Sequence, residues 1–206
     1  MARNPKNVKP DIENLTGFTQ KQLNEHFDVL YKGYVNKINE IEEKLKSASP
    51  SEANATYSNF RALKTEEVFT ENAIRLHEGY FESLGKGSKP QGPIENLIKE
   101  DFGSVEKWEE EFKGLGLAAR GWVVLAFDLE TRKLKNFLTD FHSIGVWNAI
   151  PLLILDVYEH AYFIDYGTAR KKYIESYFAN IDWNTVNARV KKFKIEEFRK
   201  EISTSL

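Results

Sequence analysis

A long helical periodicity in the first quarter of the sequence leaves few choices for the fold. Apolar side chains recur there at three- and four-residue steps, as on the buried face of an amphipathic helix. They are Leu23, Phe27, Leu30, Tyr31, Tyr34, Ile38 and Ile41. Just before them, Thr19 and Gln22 form a capping-box pattern, and Phe18 and Leu23 have the spacing of a hydrophobic staple. The sequence therefore predicts a helix that begins after Thr19 and ends near the turn at residues 47–51.

A second helical pattern spans residues 57–84, separated from the first by that short turn. Two long helices joined by one turn favour an antiparallel hairpin. Residues 85–93, rich in glycine, proline and lysine, form the clearest linker in the chain. We place a domain boundary in this linker, so residues 1–88 are predicted to form an N-terminal antiparallel helical hairpin domain.

The second half of the sequence predicts mixed helical and strand structure. The predicted elements are a helix over residues 104–120, a buried strand over 121–127, its antiparallel partner over 134–141, a third, fully buried strand over 150–155, and helices from Val157 to the C-terminus with breaks near Gly167 and residues 182–184. The fold class is therefore α+β: the hairpin domain is followed by an α/β domain, residues 89–206, with a small three-stranded antiparallel sheet.

Composition removes several classes of function. The 29 basic and 31 acidic residues give a formal net charge of -2 without any basic block, so we expect no nucleic-acid partner. The absence of cysteine excludes disulfides, thiolate nucleophiles, iron–sulfur clusters and cysteine-ligated zinc. The longest apolar run, residues 150–155, is far shorter than the ~20 residues of a membrane span, and residues 1–10 lack a signal-peptide core. We expect a cytoplasmic protein without a membrane partner.

The chain has only four histidines, and each lies where a metal ligand would make sense: His26, His77, His142 and His160. Asp156 precedes His160 by four residues, a spacing that places both side chains on one face of a helix. Taken singly, each histidine could equally pack against a backbone carbonyl or face solvent. Together they favour one shared site, and three imidazoles with one carboxylate suit a transition metal such as iron, zinc or copper.

The segment Asp156-Val157-Tyr158-Glu159-His160-Ala161-Tyr162, followed by Asp165-Tyr166 and Ile181-Asp182-Trp183-Asn184, closely resembles the C-terminal signature of the iron/manganese superoxide dismutases. His26 with Tyr34-Val35-Asn36 matches the first helix of that family, His77 stands at the ligand position of its second helix, and Gly121-Trp122 matches its glycine–tryptophan strand. The resemblance extends over nearly the whole chain and includes the domain order. Tyr158 departs from the family pattern, which has tryptophan at this position.

The resemblance implies four metal ligands: His26, His77, Asp156 and His160. They would hold one iron or manganese ion per subunit between the two domains. The implied activity is disproportionation of superoxide to dioxygen and hydrogen peroxide, with the metal cycling between its +3 and +2 states. Tyr34 is implied as the phenol at the substrate entrance. His142 takes the place where most relatives have a glutamine that contacts the metal-bound solvent. Because imidazole titrates near neutrality, we expect His142 to alter the proton inventory of the enzyme.

The family also implies an aromatic pocket wall formed by Trp122, Tyr80, Phe81 and Tyr158. Phe81 and Val124 stand where relatives often have tryptophan, so the side chains of this wall should be smaller than in those relatives. Leu30 and Phe163 replace a histidine–tyrosine pair that bonds across the dimer interface in many relatives. Losing both partners exchanges a hydrogen bond for packing and can be nearly neutral. Glu159, which in the family bridges to the ligand histidine of the other subunit, is kept. We therefore expect a homodimer or a dimer of dimers.

Two alternatives stay open at this point. Three histidines around an open position would also suit a zinc hydrolase, although the family resemblance argues against it. The second alternative is a catalytically weak or inactive relic that acts as a metal-binding structural dimer. The substitutions at positions 30, 81, 124, 142 and 163 give it some weight. Retention of all four ligands, together with Tyr34 and Glu159, favours the enzyme.

Overall fold

The computed structural model describes residues 2–200; Met1 and residues 201–206, which the predicted domain ranges include, lie outside the described residues. The chain begins its helical part with α1 (Gln20–Asn24), which continues through a π-helical segment (Glu25–Tyr31) into α2 (Lys32–Leu45). Helix α3 (Asn59–Glu82) follows and packs against α2. The predicted helical hairpin is therefore present. Its first helix is interrupted by a π turn, a feature that is frequent at functional sites.

The start of α1 differs from the predicted capping box. Thr19 is the N-cap, because its Oγ1 accepts a hydrogen bond from the backbone N–H of Gln22 at 3.2 Å. The Gln22 side chain does not return this bond to Thr19. Instead the Asp165 carboxylate accepts from the Thr19 N–H at 2.8 Å and from its hydroxyl at 2.6 Å. The capping-box prediction is thus half right, and the reciprocal carboxylate comes from a distant part of the chain.

Helices α4 (Pro93–Phe102) and α5 (Val105–Ala118) lead from the hairpin to the sheet. Helix α5 confirms the predicted helix in this region, whereas α4 was not predicted. Pro93 occupies the first turn of α4, and Gly103 ends it with a positive φ of 87°. Proline at the start and glycine at the end are ordinary helix boundaries. Pro93 is also the last residue of the predicted linker, so α4 begins where that linker ends.

The three predicted strands form one antiparallel sheet in the order β2-β1-β3, with β1 (Trp122–Asp128) in the centre, β2 (Lys133–Thr139) and β3 (Ala149–Asp156). The prediction that the third strand is fully buried is wrong at its start. Pro151 is exposed there, and a proline is tolerated because β3 lies at the edge of the sheet. The register pairs Trp122 with Asp156, which brings the indole beside the carboxylate.

After β3 the chain turns instead of forming the helix predicted from Val157. The backbone N–H of Tyr158 donates to Asp156 Oδ1 at 2.9 Å, a local turn that competes with helix formation. A short 3-10 turn (Glu159–Ala161) follows. The four-residue spacing suggested that Asp156 and His160 share one face of a helix, but in the structure they do not. Asp156 ends a strand, and His160 lies in the 3-10 turn.

The remaining helices are α6 (Phe163–Tyr166), α7 (Arg170–Ala179), α8 (Trp183–Lys192) and α9 (Ile195–Lys200). The predicted break near Gly167 is confirmed, whereas of the break predicted at residues 182–184 only Asp182 lies outside a helix, because α8 begins at Trp183. None of the helices formed by residues 2–200 combines the length and the apolar character needed to cross a membrane.

The hairpin and the sheet share one hydrophobic core. Arg189 on α8 adds polar bonds between them. Its guanidinium donates to the carbonyl of Leu152 on β3 at 2.8 Å, to that of Gly79 on α3 at 2.9 Å, and to Ser83 Oγ at 2.9 Å. It also pairs with Glu82 at 2.8 Å. The division into domains 1–88 and 89–206 remains a proposal.

Candidate metal centre

Four side chains from four separate elements converge between the hairpin and the sheet. They are His26 of the π-helical segment, His77 of α3, Asp156 at the end of β3 and His160 of the 3-10 turn, and one ligand atom from each lies within 4.8 Å of the others. Asp156 Oδ2 is common to the group. It lies 3.1 Å from His26 Nε2, 3.1 Å from His160 Nε2 and 3.5 Å from His77 Nε2. The structure thus brings together all four predicted ligands.

His77 shows most directly that these residues fit a metal ion. Its side chain is completely buried, and its Nδ1 donates to the carbonyl of Ala73 at 2.6 Å. This bond leaves Nε2 as the unprotonated nitrogen, and within residues 2–200 that atom has no hydrogen-bond partner. A buried polar atom without a partner is unfavourable and calls for an explanation. A cation bound between the four donors would give the Nε2 atom of His77 a partner.

Burial and neighbouring side chains together determine the protonation states of the buried donors. Burial lowers the pKa of His77 well below its usual value, and it lowers the pKa of His26 in spite of the hydrogen bond to Asp156. Burial alone would raise the pKa of Asp156, but the neighbouring His160 and His26 outweigh burial and hold that pKa well below its usual range. The buried histidines are therefore neutral and Asp156 is ionised at neutral pH, which are the protonation states that metal binding requires.

His142 lies in the turn after β2, beside the four donors. It is buried, and its ring centroid is 5.9 Å from that of His77 and 5.4 Å from that of Tyr34. Neither of its ring nitrogens has a partner in the part of the chain that the structure describes. Burial lowers the pKa of His142 to about 4. The expectation that this imidazole titrates near neutrality is therefore wrong, because its buried ring stays neutral there.

Tyr34 lies near the donors on the side of His142. Its ring centroid is 5.5 Å from that of His77. Burial raises the pKa of Tyr34 to about 12, helped by the charge of Asp156, so its hydroxyl is protonated at neutral pH. The side chain is only half-buried, which leaves it accessible from outside the donor cluster.

Aromatic side chains enclose the donors where the resemblance places them. Tyr80 and Phe81 pack on His26 with ring centroids 5.2 Å and 4.8 Å away. Trp122 packs edge-on against His77 at 4.9 Å, and Tyr158 stacks on His160 at 5.2 Å. The hydroxyl of Tyr158, in place of the family's tryptophan, donates to the carbonyl of Asp140 at 3.0 Å and so links the wall to the turn that carries His142.

Three further residues support the site and were missed in the sequence. Phe69 packs on His142 with ring centroids 4.5 Å apart, and Asn72 Nδ2 donates to the His142 carbonyl at 2.8 Å. Gln22 contacts the backbone of His160. Phe69 precedes His77 by eight residues and Gln22 precedes His26 by four, so helical spacing gave a signal for both. Asn72 has no such signal.

The remaining predicted residues lie at the surface beside the site. Phe163 is 48% exposed, Glu159 is exposed and Leu30 is half-buried. His160 is the most exposed of the four donors, with 28% of its side chain accessible. Its hydrogen bond to Asp156 uses Nε2, and no described residue bonds to its Nδ1.

Fold and donors together define a metalloprotein with one mononuclear site between a helical hairpin and a three-stranded sheet. Residues 90–189 match the family described as iron/manganese superoxide dismutases, C-terminal domain. The chain is 41% identical over 191 residues to a superoxide dismutase [Fe] of Aquifex aeolicus (strain VF5), covering 90% of this chain and 89% of the relative. The chain belongs to the iron/manganese superoxide dismutase family, as the sequence predicted.

Relatives with either metal in their names are similar to this chain. A superoxide dismutase [Fe] of Cupriavidus metallidurans is 36% identical over 178 residues, which cover 85% of this chain and 89% of the relative. Superoxide dismutase [Mn] 2 of Haloferax volcanii is 36% identical over 174 residues, which cover 83% of this chain and 86% of the relative.

Proposed function

We infer that this chain catalyses the disproportionation of superoxide to dioxygen and hydrogen peroxide, using one iron or manganese ion per subunit. The observation that carries this inference is the unpartnered Nε2 of His77 among three other donors, in a chain that belongs to the superoxide dismutase family. We assign His26, His77, Asp156 and His160 as the metal ligands. When bound, the metal supplies the one-electron chemistry by alternating between its +3 and +2 states.

Each pair of superoxide ions consumes two protons when it becomes dioxygen and hydrogen peroxide. We assign Tyr34 and His142 to proton handling at the site. Tyr34 offers a protonated hydroxyl over the whole neutral range, because burial raises its pKa to about 12. Neutral His142 has one N–H donor and one acceptor nitrogen, so it can relay a proton without becoming charged.

The aromatic wall excludes bulk water from the three buried donors, His26, His77 and Asp156. Trp122 and Tyr80 are completely buried, and Phe81 covers His26 from the hairpin side. A site without bulk water strengthens the electrostatic interactions within it. Tyr158 continues the wall over His160, the donor closest to the surface.

We also propose that the chain forms a homodimer, alone or as a dimer of dimers, through the surface around His160. This candidate interface comprises Val29, Leu30, Glu159, Phe163 and Ile164. Val29 is 62% exposed and Ile164 45%, so apolar side chains are concentrated there. Glu159 from a second copy would supply the missing partner of His160 Nδ1. Cytoplasmic location and the absence of nucleic-acid and membrane partners stay predictions.

The first experiment measures metal content and superoxide disproportionation on the same purified sample. We expect about one iron or manganese ion per subunit and rapid loss of superoxide. His77→Ala should remove most of the bound metal, because it deletes a donor that no other described residue replaces. His142→Gln, a buried neighbour outside the ligand set, is the matched control and should keep its metal. Bound metal without activity in the wild type would favour the relic, and an unchanged metal content in His77→Ala would refute the ligand assignment.

A further inference from the structure

His160 is the proposed ligand with the least support from its own secondary structure. His26 and His77 are carried by long helical segments, and Asp156 by a strand paired to the centre of the sheet. His160 lies in a 3-10 turn of three residues, and no described residue bonds to its Nδ1. Something outside this turn must therefore fix its backbone.

The side chain of Gln22 bridges this turn and the following helix α6. It is buried, at 1% exposure, and projects from α1, one turn before His26. Its Nε2 donates to the carbonyl of His160 at 2.7 Å, and its Oε1 accepts from the backbone N–H of Ile164 at 3.2 Å. One amide thus ties the backbone of His160 to the helix that carries another proposed ligand.

The unexpected cap of α1 explains why Gln22 is available for this role. In a complete capping box the Gln22 side chain would bond to the N–H of Thr19. Here the Asp165 carboxylate accepts both the N–H and the hydroxyl of Thr19. Asp165 and Ile164 belong to the same short helix, so the first turn of α1 is bound at two points to the segment that follows His160.

We propose that Gln22 is a positioning residue of the metal centre, which holds His160 so that its Nε2 stays directed at Asp156 and the metal. The proposal rests on the proposed function in one respect, because it takes His160 to be a ligand. Replacing Gln22 by an apolar side chain leaves a backbone carbonyl and a backbone N–H without their buried partner. The turn of His160 is then free to move away from the other donors, and the bound metal is lost more readily.

The test compares Gln22→Met with Asn187→Leu. Asn187 is a matched control, because its amide also bridges the backbone, accepting from the Ile94 N–H at 3.0 Å and donating to the Gln91 carbonyl at 2.8 Å, at a place remote from the donors. Iron- or manganese-loaded wild type and variants are diluted into excess chelator, and the metal remaining on the protein is followed with time. The visible absorption of the loaded proteins and the unfolding temperature of the metal-free proteins are recorded in parallel.

We expect both variants to lower the unfolding temperature of the metal-free protein. Only Gln22→Met should release metal faster, by about ten-fold, and shift the visible absorption band, as is usual when a partner of a ligand is lost. Release within about two-fold of the wild-type rate, or equal acceleration by Asn187→Leu, would overturn the proposal.

Gln22→Glu keeps an acceptor for Ile164 and removes the donor to His160, so it decides the question if Gln22→Met does not fold. Faster release by this variant supports the proposal, and a wild-type release rate contradicts it. A wild-type protein that takes up no iron or manganese contradicts the proposed function itself, which separates that failure from a failure of the Gln22 proposal alone.

Discussion

His142 illustrates how the surroundings of one residue decide what its side chain can do. In water an imidazole titrates near neutrality, but burial lowers the pKa of His142 to about 4. At neutral pH it is an uncharged group that can both donate and accept a hydrogen bond, as would be the glutamine that the family resemblance implies at this position. The substitution therefore changes the site less than the residue types suggest, which weakens the relic alternative.

This lowered pKa makes the stability of the metal-free protein depend on pH. In the unfolded chain His142 takes up a proton near its ordinary pKa of 6.5, whereas in the folded chain its pKa is about 4. The resulting stability is complete above pH 6.5 and is lost as the pH falls toward 4. His142→Gln should lose less free energy of unfolding between about pH 7 and about pH 4.5, by on the order of 1 kcal/mol. Urea unfolding at both pH values measures this difference. An equal loss in wild type and variant would show that His142 does not titrate as described.

Secondary structure elements were predictable where local pattern and tertiary packing agree. The apolar residues from Leu23 to Ile41 predicted the first helix, because side chains at this helical spacing also pack into the core. The turn at residues 157–162 was mistaken for helix, because the Asp156 carboxylate binds the N–H of Tyr158 and competes with the helical bond. The cap of Thr19 could not be predicted, since its partner Asp165 is brought near only by the fold.

The candidate site, too, was predictable from the sequence only in part. Residue types and a family resemblance predicted the four ligands, and the structure brings these four residues together. Neither the type nor the spacing of a residue reveals which buried atoms stay without a partner. The unpartnered Nε2 of His77 and the bridging amide of Gln22 are visible only in the folded chain.

Among the helices, the position of α8 depends strongly on Arg189. Its side chain is 11% exposed, and its guanidinium serves two backbone carbonyls and Glu82. Arg189→Met should lower the free energy of unfolding by about 2–4 kcal/mol, because these buried acceptors lose a charged donor. The exposed Lys191 on the same helix provides the control Lys191→Met, which should change stability little. Urea unfolding compares the two, and equal effects would contradict a structural role for Arg189. Folded Arg189→Met should still bind metal, since Arg189 touches none of the four donors.

For the whole molecule, the position of His160 links the metal site to assembly. The other three donors are enclosed within one chain, whereas His160 is partly exposed beside the candidate interface. Two copies joined through that interface would cover the exposed side of His160 and bring Glu159 of each copy to the other. The site of one chain would then be complete only in the dimer.

Phe163→Glu tests this arrangement. Phe163 is 48% exposed beside His160, and a carboxylate there would add one negative charge near Glu159 in each copy of an otherwise apolar contact. We expect the variant to sediment as a monomer at micromolar concentration while the wild type sediments as a dimer or larger. Tyr57→Glu is the control, because Tyr57 is equally an exposed aromatic residue but lies before α3, away from the interface. It should leave the assembly unchanged.

The monomeric variant should also release metal faster, because each His160 loses the partner that the second copy supplies. A Phe163→Glu protein that stays dimeric would place the interface elsewhere, and a monomer that keeps its metal as the wild type does would show that each site is complete within one chain.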